Sequence, residues 1–137
     1  MGKIILDVND VCKSYNYGTN NLEVLKNFTL QLNKKEIITI SGQSGCGKST
    51  ALNIMGTLDR QDSGTISFEG IDINKLDENS LANFRNTKIG FVFQFHHLLP
   101  ELTALENASI PLWIKGASFI ENDLIDLFET LGIKDRM

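Results

Sequence analysis

An excess of basic residues is the first thing this sequence lacks. It carries 13 Lys and Arg against 17 Asp and Glu, a formal charge of −4. A nucleic-acid binder normally shows a basic surface, so no nucleic-acid partner is expected. Cysteine is scarce. Cys12 and Cys46 are the two in the chain, too few for a disulfide-stapled secreted scaffold. No apolar run approaches the roughly 18 residues of a membrane span. The most apolar stretch, 108–120, is broken by Pro111, Lys115 and Gly116. At the start, Ile4-Ile5-Leu6 meets Asp7 at once, where a signal peptide needs about seven apolar residues or more. Leu6 also stands where N-myristoylation requires Ser or Thr. The expected compartment is the cytoplasm. There is no internal repeat, low-complexity tract or long charge run.

What is present suffices for a core. A chain of 137 residues fits one domain of ordinary size. Hydrophobic residues make up 42% and charged residues 22%, which is globular rather than disordered.

The order of expected elements is informative. Ile4 to Val8 reads as a short strand, and Tyr15 to Asn21, rich in Asn, Gly and Thr, as a turn. Phe28 to Leu32 alternates like a half-buried strand. After the polar turn Asn33 to Glu36, the β-branched run Ile37-Ile38-Thr39-Ile40 reads as a fully buried strand. A loop with three glycines, Ser41 to Gly47, leads into a helix over Lys48 to Leu58, with Leu52, Met55 and Ile54 as candidates for its inner face. Asp62-Ser63-Gly64 is a turn and Thr65 to Glu69 another strand. Asp77 suits the N-cap of a helix carrying Leu81 and Phe84. Ile89 to Phe93 reads as a strand that ends at Gln94. Beyond Leu102 the character is helical. Thr103 to Glu106 and Ser118 to Glu121 both fit the capping box. Ile120, Leu124, Leu127 and Leu131 share a helical stripe closed by Gly132. Residues 1–100 are therefore read as a nucleotide-binding core, and 101–137 as a helical annex.

One motif decides the chemistry. Gly42-Gln43-Ser44-Gly45-Cys46-Gly47-Lys48-Ser49 fits G-x-x-x-x-G-K-[ST] in full, between an expected strand and an expected helix. The glycines let successive backbone N–H groups turn toward phosphate oxygens, and the helix N-terminus adds partial positive charge. Lys48 bridges the β- and γ-phosphates in such a loop, and the Ser49 hydroxyl binds Mg²⁺. This much points to a nucleoside triphosphate and is shared by GTPases, small nucleotide kinases and transport ATPases. The strand-end Gln94 carries an amide able to coordinate Mg²⁺ or hold a water, as a hydrolase needs near a γ-phosphate.

Beyond these single motifs, nearly the whole chain resembles the ABC-transporter ATPase family. The matching pieces are Val11 to Tyr15, the phosphate loop, Leu58-Asp59-Arg60 with Ser63-Gly64, Ile89 to Gln94, and Leu102 to Asn107. Within the family, Phe93-Gln94-Phe95-His96-His97-Leu98-Leu99-Pro100 is most similar to the subgroup serving lipoprotein release and macrolide export. The resemblance implies an α/β P-loop core with an antiparallel β subdomain and the start of a helical subdomain. It implies an ATP-binding subunit with ATP and Mg²⁺ as ligands, on the cytoplasmic face of a bacterial inner membrane. It also implies transmembrane permease subunits as partners and a homodimer of ATPase subunits. Carried over, Gly42 to Thr50 contact the phosphates, Ser49 and Gln94 hold the metal, and Lys48 and Gln94 serve catalysis. Tyr15 matches the aromatic that stacks on adenine, with Tyr17 as the competing candidate. Such stacking is worth about 1–3 kcal/mol. Residues from Phe95 onward would face the membrane subunits.

Three family elements are missing: an LSGGQ-like signature, an apolar strand ending in Asp-Glu, and a switch His. The family's order places them after the last residue here, so the resemblance covers the first part of such a domain. It also implies that later strands belong between the strand before the phosphate loop and the strand before Gln94. Two readings follow: an ABC-type ATPase subunit represented by its N-terminal part, or a nucleotide-binding fragment or regulator without catalysis. A nucleotide kinase is disfavoured, because those enzymes usually begin with the strand of the phosphate loop. Outside the motif, His96 and His97 read as interface or packing residues, Cys12 as a small buried hydrophobe and Trp113 as packing. Cys46 stands at a helix N-terminus beside Lys48, a setting of reactive thiols, or simply fills a variable position of the motif.

Overall fold

Two alternating segments joined by Gly18-Thr19 form a long antiparallel hairpin, β1 (Ile4–Tyr17) and β2 (Asn20–Asn33). This is from a computed structural model, which describes residues 2–95, 97–116 and 121–136, with the side chains of Tyr17 and Glu121 left out. The hairpin is longer than the sequence suggested. Tyr15 to Tyr17 pair with Asn20 to Leu22 across the tip, so the polar stretch expected as a turn is mostly strand. Ladder hydrogen bonds override a composition that is weak in strand formers.

β3 (Ser63–Phe68) pairs with the other edge of β1, and the two-residue β4 (Ile71–Asp72) follows it, giving the order β2-β1-β3-β4. Leu6, Val8, Val11 and Ile66 are buried on this sheet, as are Ile54 and Met55 of helix α1 (Lys48–Met55). Burying a side chain of this size contributes about 1.5–3 kcal/mol. Leu52, a candidate for the inner face, is 56% exposed instead. The helix ends at Met55 rather than Leu58, with the Gly56 and Thr57 N–H groups bonded to the Leu52 and Ile54 carbonyls.

A bulge in β1 sets the direction of everything after it. The pairing with β2 shifts between Val8 and Val11, and that with β3 between Asn9 and Cys12. Asp10 sits at φ 49°, and its N–H donates to Thr29 Oγ1 at 3.0 Å. One extra residue exchanges the two faces of a strand. Leu6 and Val8 point inward before the bulge, whereas Val11 and then Lys13 do so after it. Gly64 of β3 makes room for this kink. Its φ is +90°, and a Cβ there would lie 2.5 Å from the Asp10 carbonyl oxygen.

The chain forms two compact units, Met1–Ala82 and Asn83–Met137. Helix α2 (Glu78–Lys88) spans the division and starts as expected, with the Ser80 N–H donating to Asp77 Oδ1 at 2.7 Å. Leu81 and Phe84 are buried on it. In the second unit, α3 (Ala104–Lys115) begins with a complete capping box between Thr103 and Glu106 and closes at Gly116. Asn107 pins the preceding loop. Its amide donates to the Leu99, Leu102 and Thr103 carbonyls and accepts from the Leu99 N–H. Helix α4 (Glu121–Thr130) buries Leu124 and Phe128, while Leu127 and Leu131 are exposed. The stripe expected there is thus displaced, because Phe128 takes the inward position. The second capping box falls on Ser118 to Ile120, which with Ile120 of the stripe lie outside the described residues.

Two expected strands do not form. Ile37 to Ile40 belongs to no strand, and Ile37 is 93% exposed. Ile89 to Phe93 is likewise irregular, with Val92 fully exposed. A β-branched run becomes a strand only beside a neighbour that completes its ladder. Among the described residues neither segment has one.

Candidate nucleotide-binding site

The phosphate loop, 41–47, runs into α1 through Gly47, whose left-handed φ of +93° starts the helix. A Cβ on Gly47 would come within 2.9 Å of the Val24 carbonyl oxygen of β2, so the loop can lie against the hairpin only with glycine there. No side chain caps the helix N-terminus. The first-turn N–H groups of an α-helix have no partner within it, and they carry the positive end of its dipole. Gly42, Gln43, Ser44, Gly45, Cys46 and Ser49 are exposed around this end, and Lys48 and Thr50 are half-buried.

Lys48 curls back over the loop. Its ammonium donates to the Gly42 carbonyl at 2.9 Å and the Gln43 carbonyl at 2.6 Å, and lies 3.6 Å from Cys46 Sγ. Lys48 therefore holds a cation at the mouth of a loop of backbone donors. A polyphosphate fits this donor set: amides for its oxygens, an ammonium for its charge, and the Ser49 hydroxyl for an accompanying Mg²⁺.

Tyr15 lies in the same unit, beside the segment that follows α1. The Tyr15 hydroxyl donates to Asp59 Oδ2 at 2.6 Å. Asp59 is itself held by Lys13 Nζ at 3.0 Å and by the Arg60 N–H at 2.7 Å, both on Oδ1. Lys13 Nζ also donates to the Arg60 carbonyl and lies 5.0 Å from the centre of the Tyr15 ring, within cation–π range. The Ser14 N–H donates to Asp62 Oδ2 at 2.7 Å. The charges respond accordingly. Burial pushes the Asp59 carboxyl up, but the bonds from Tyr15, Lys13 and Arg60 outweigh it and hold it below the usual carboxylate range. The bond to Asp59 raises the Tyr15 phenol, with burial adding to it. Burial lowers the Lys13 ammonium, and Asp59 more than restores it, leaving it raised.

The structure thus joins Tyr15 to the loop residues Gly42 to Thr50 within the first unit. Gln94 belongs to the second unit, at an exposed bend. There Phe91 stacks on Phe93 at 5.4 Å between ring centroids, and Phe93 meets His97 edge-on at 4.8 Å. His96 and the Tyr17 side chain lie outside the described residues. Cys12 is half-buried, its sulfur accepting from the Asn27 N–H at 3.3 Å. Trp113 is half exposed. Sequence reasoning missed the roles of Asp59 and Lys13. Both sit inside matching segments, and the signal that could have found them is a carboxylate placed just past the phosphate-loop helix.

Among the described residues no helix is long and apolar enough to cross a membrane. A family model described as ABC transporter matches residues 25–137. The lipoprotein-releasing system ATP-binding protein LolD of Geobacter metallireducens is 54% identical over 112 residues, covering 82% of this chain and 50% of that protein. LolD of Legionella pneumophila is 44% identical over 139 residues, covering the whole chain and 61% of the relative. The chain therefore spans between half and three-fifths of the length of these curated relatives. Among solved structures, the dimeric post-hydrolysis state of the ATP-binding cassette MJ0796 bound to ADP and Pi superposes with a TM-score of 0.79. It is 41% identical, over 85% of this chain and 50% of that one. With this sheet, this loop and these relatives, the chain belongs to the ABC transporter family.

Proposed function

We propose that this chain is the ATP-binding part of an ABC transporter ATPase subunit that couples ATP binding and hydrolysis to lipoprotein release. The observation that carries the reading is the Lys48 ammonium held at the mouth of an uncapped phosphate loop. The lipoprotein-releasing relatives support lipoprotein as the cargo. Residues 1–100 serve as the nucleotide-binding core and 101–137 begin the helical part. Its partners are transmembrane permease subunits and a second copy of the ATPase subunit, at the cytoplasmic face of a bacterial inner membrane.

In this site the loop amides from Gly42 to Thr50 take the phosphate oxygens. Lys48 leaves its carbonyl partners to bridge the β- and γ-phosphates, so ligand binding replaces two bonds to neutral carbonyls by bonds to charged phosphate oxygens. Ser49, with Gln94 as the family match implies, would hold Mg²⁺, and the ion would supply positive charge against the charge that develops in phosphoryl transfer. Tyr15 presents its ring to adenine.

Calorimetry tests the reading. Charge-assisted hydrogen bonds contribute about 1.5–3 kcal/mol, so Lys48→Ala weakens MgATP binding roughly ten- to hundredfold. Equal affinity for wild type and Lys48→Ala overturns it.

A further inference from the structure

We propose that Asp59 is the positioning residue of the base platform. It holds Tyr15 in register with the phosphate loop and sets affinity for the nucleoside part of the ligand without touching it. The proposal rests on the reading of Tyr15 as the adenine-stacking aromatic.

Tyr15 comes from β1, whereas the phosphate loop ends in α1, so a platform for base and phosphate together needs a link between the two elements. Asp59 is that link. It follows the C-terminus of α1, and its Oδ2 takes the Tyr15 hydroxyl at 2.6 Å. Its other oxygen is held by Lys13 and the Arg60 N–H, so the carboxylate is fixed from three sides. The Asp59 N–H in turn donates to the Asn53 carbonyl of α1 at 3.3 Å. The Tyr15 ring is therefore tied, through Asp59, to the C-terminal end of the helix that carries the phosphate loop. Lys13 lies over one face of the ring, 5.0 Å from its centre, which leaves the other as the face a purine would have to take. A freely rotating tyrosine would have to be ordered on binding, and preorganisation removes that cost. Asp59 thus acts on the base and sugar half of the ligand, and the phosphate half depends on Lys48 and the loop.

The test compares MgATP with magnesium tripolyphosphate, which has the phosphates and no base. Affinities are measured for wild type, Asp59→Asn, Tyr15→Phe, the double variant and Tyr15→Ala. Losing a charge-assisted bond that positions the ring weakens MgATP binding by about three- to tenfold in Asp59→Asn and in Tyr15→Phe, while tripolyphosphate stays within about twofold. The double variant is no weaker than either single one, because all remove one bond. Tyr15→Ala loses more MgATP affinity, again with tripolyphosphate unchanged. Equal weakening of both ligands in Asp59→Asn means that Asp59 merely supports the loop, and overturns the proposal. If Tyr15→Ala lowers the preference for MgATP and Tyr15→Phe and Asp59→Asn do not, the stacking role stands and the Asp59 proposal falls. If Tyr15→Ala leaves the preference unchanged, the stacking role itself fails and takes the proposal with it, as does a wild type that binds neither ligand. Should circular dichroism show Asp59→Asn unfolded, Tyr15→Phe decides alone, since it removes the same bond from the other partner.

Discussion

Lys48 and Cys46 share the mouth of the phosphate loop, and their proximity has a chemical reading. The Cys46 thiol is exposed, and its sulfur lies 3.6 Å from the Lys48 ammonium. Lys48 is bound by the backbone of the same loop, so the cation stays near the sulfur until a ligand draws it away. A Cβ on Gly42 would meet this sulfur at 2.7 Å, which shows how closely the thiol lies over the loop. A maleimide therefore modifies Cys46 in the free protein, and MgATP, seated on the same amides, shields it. Mass spectrometry checks both halves. Cys46 unmodified without nucleotide, or modified equally with it, rejects the expectation.

At the scale of elements, the bulge in β1 and the glycine opposite it form one device. Gly64→Ala places a methyl group against the Asp10 carbonyl in a left-handed backbone, so either the bulge or β3 must shift. The cost is about 2 kcal/mol or more, read as a lower midpoint of urea unfolding by circular dichroism. An unchanged midpoint refutes this account of the kink. The same device shows what the sequence could and could not convey. The phosphate loop, the Asp77 cap and the Thr103 capping box were legible because each is a local pattern whose partners lie a few residues apart. The bulge was not, because Asp10, Thr29 and Gly64 meet only across three strands. Asp59 went unassigned for the same reason, its partner Tyr15 lying in a distant strand. Ile37 to Ile40 misled in the opposite sense. Its β-branched composition is strand-like, but a strand also needs a neighbour, which composition does not supply.

At the scale of the molecule, binding and turnover separate. The sequence has no apolar strand ending in Asp-Glu. Its one Asp-Glu pair, Asp77-Glu78, is engaged elsewhere: Asp77 caps α2, and Glu78 pairs with Arg60 at 2.7 Å. Neither carboxylate of this pair is therefore placed to act as general base toward an attacking water. The outcome expected of the 137-residue chain is MgATP binding without phosphate release above background. Steady release that Lys48→Ala abolishes would show a complete catalytic set and contradict this. The exposed run at Ile37 to Ile40 carries a further consequence. The phosphate loop is footed on one side only: downstream it continues into α1, and upstream it follows backbone that joins no sheet. Amide hydrogens on the two sides of one loop then trade with solvent on different clocks, fast over Ile37 to Ile40 and slow in the interior of α1. The ligand-binding segment is thus a border between two regimes of local stability, and deuterium uptake along the chain would trace where that border runs.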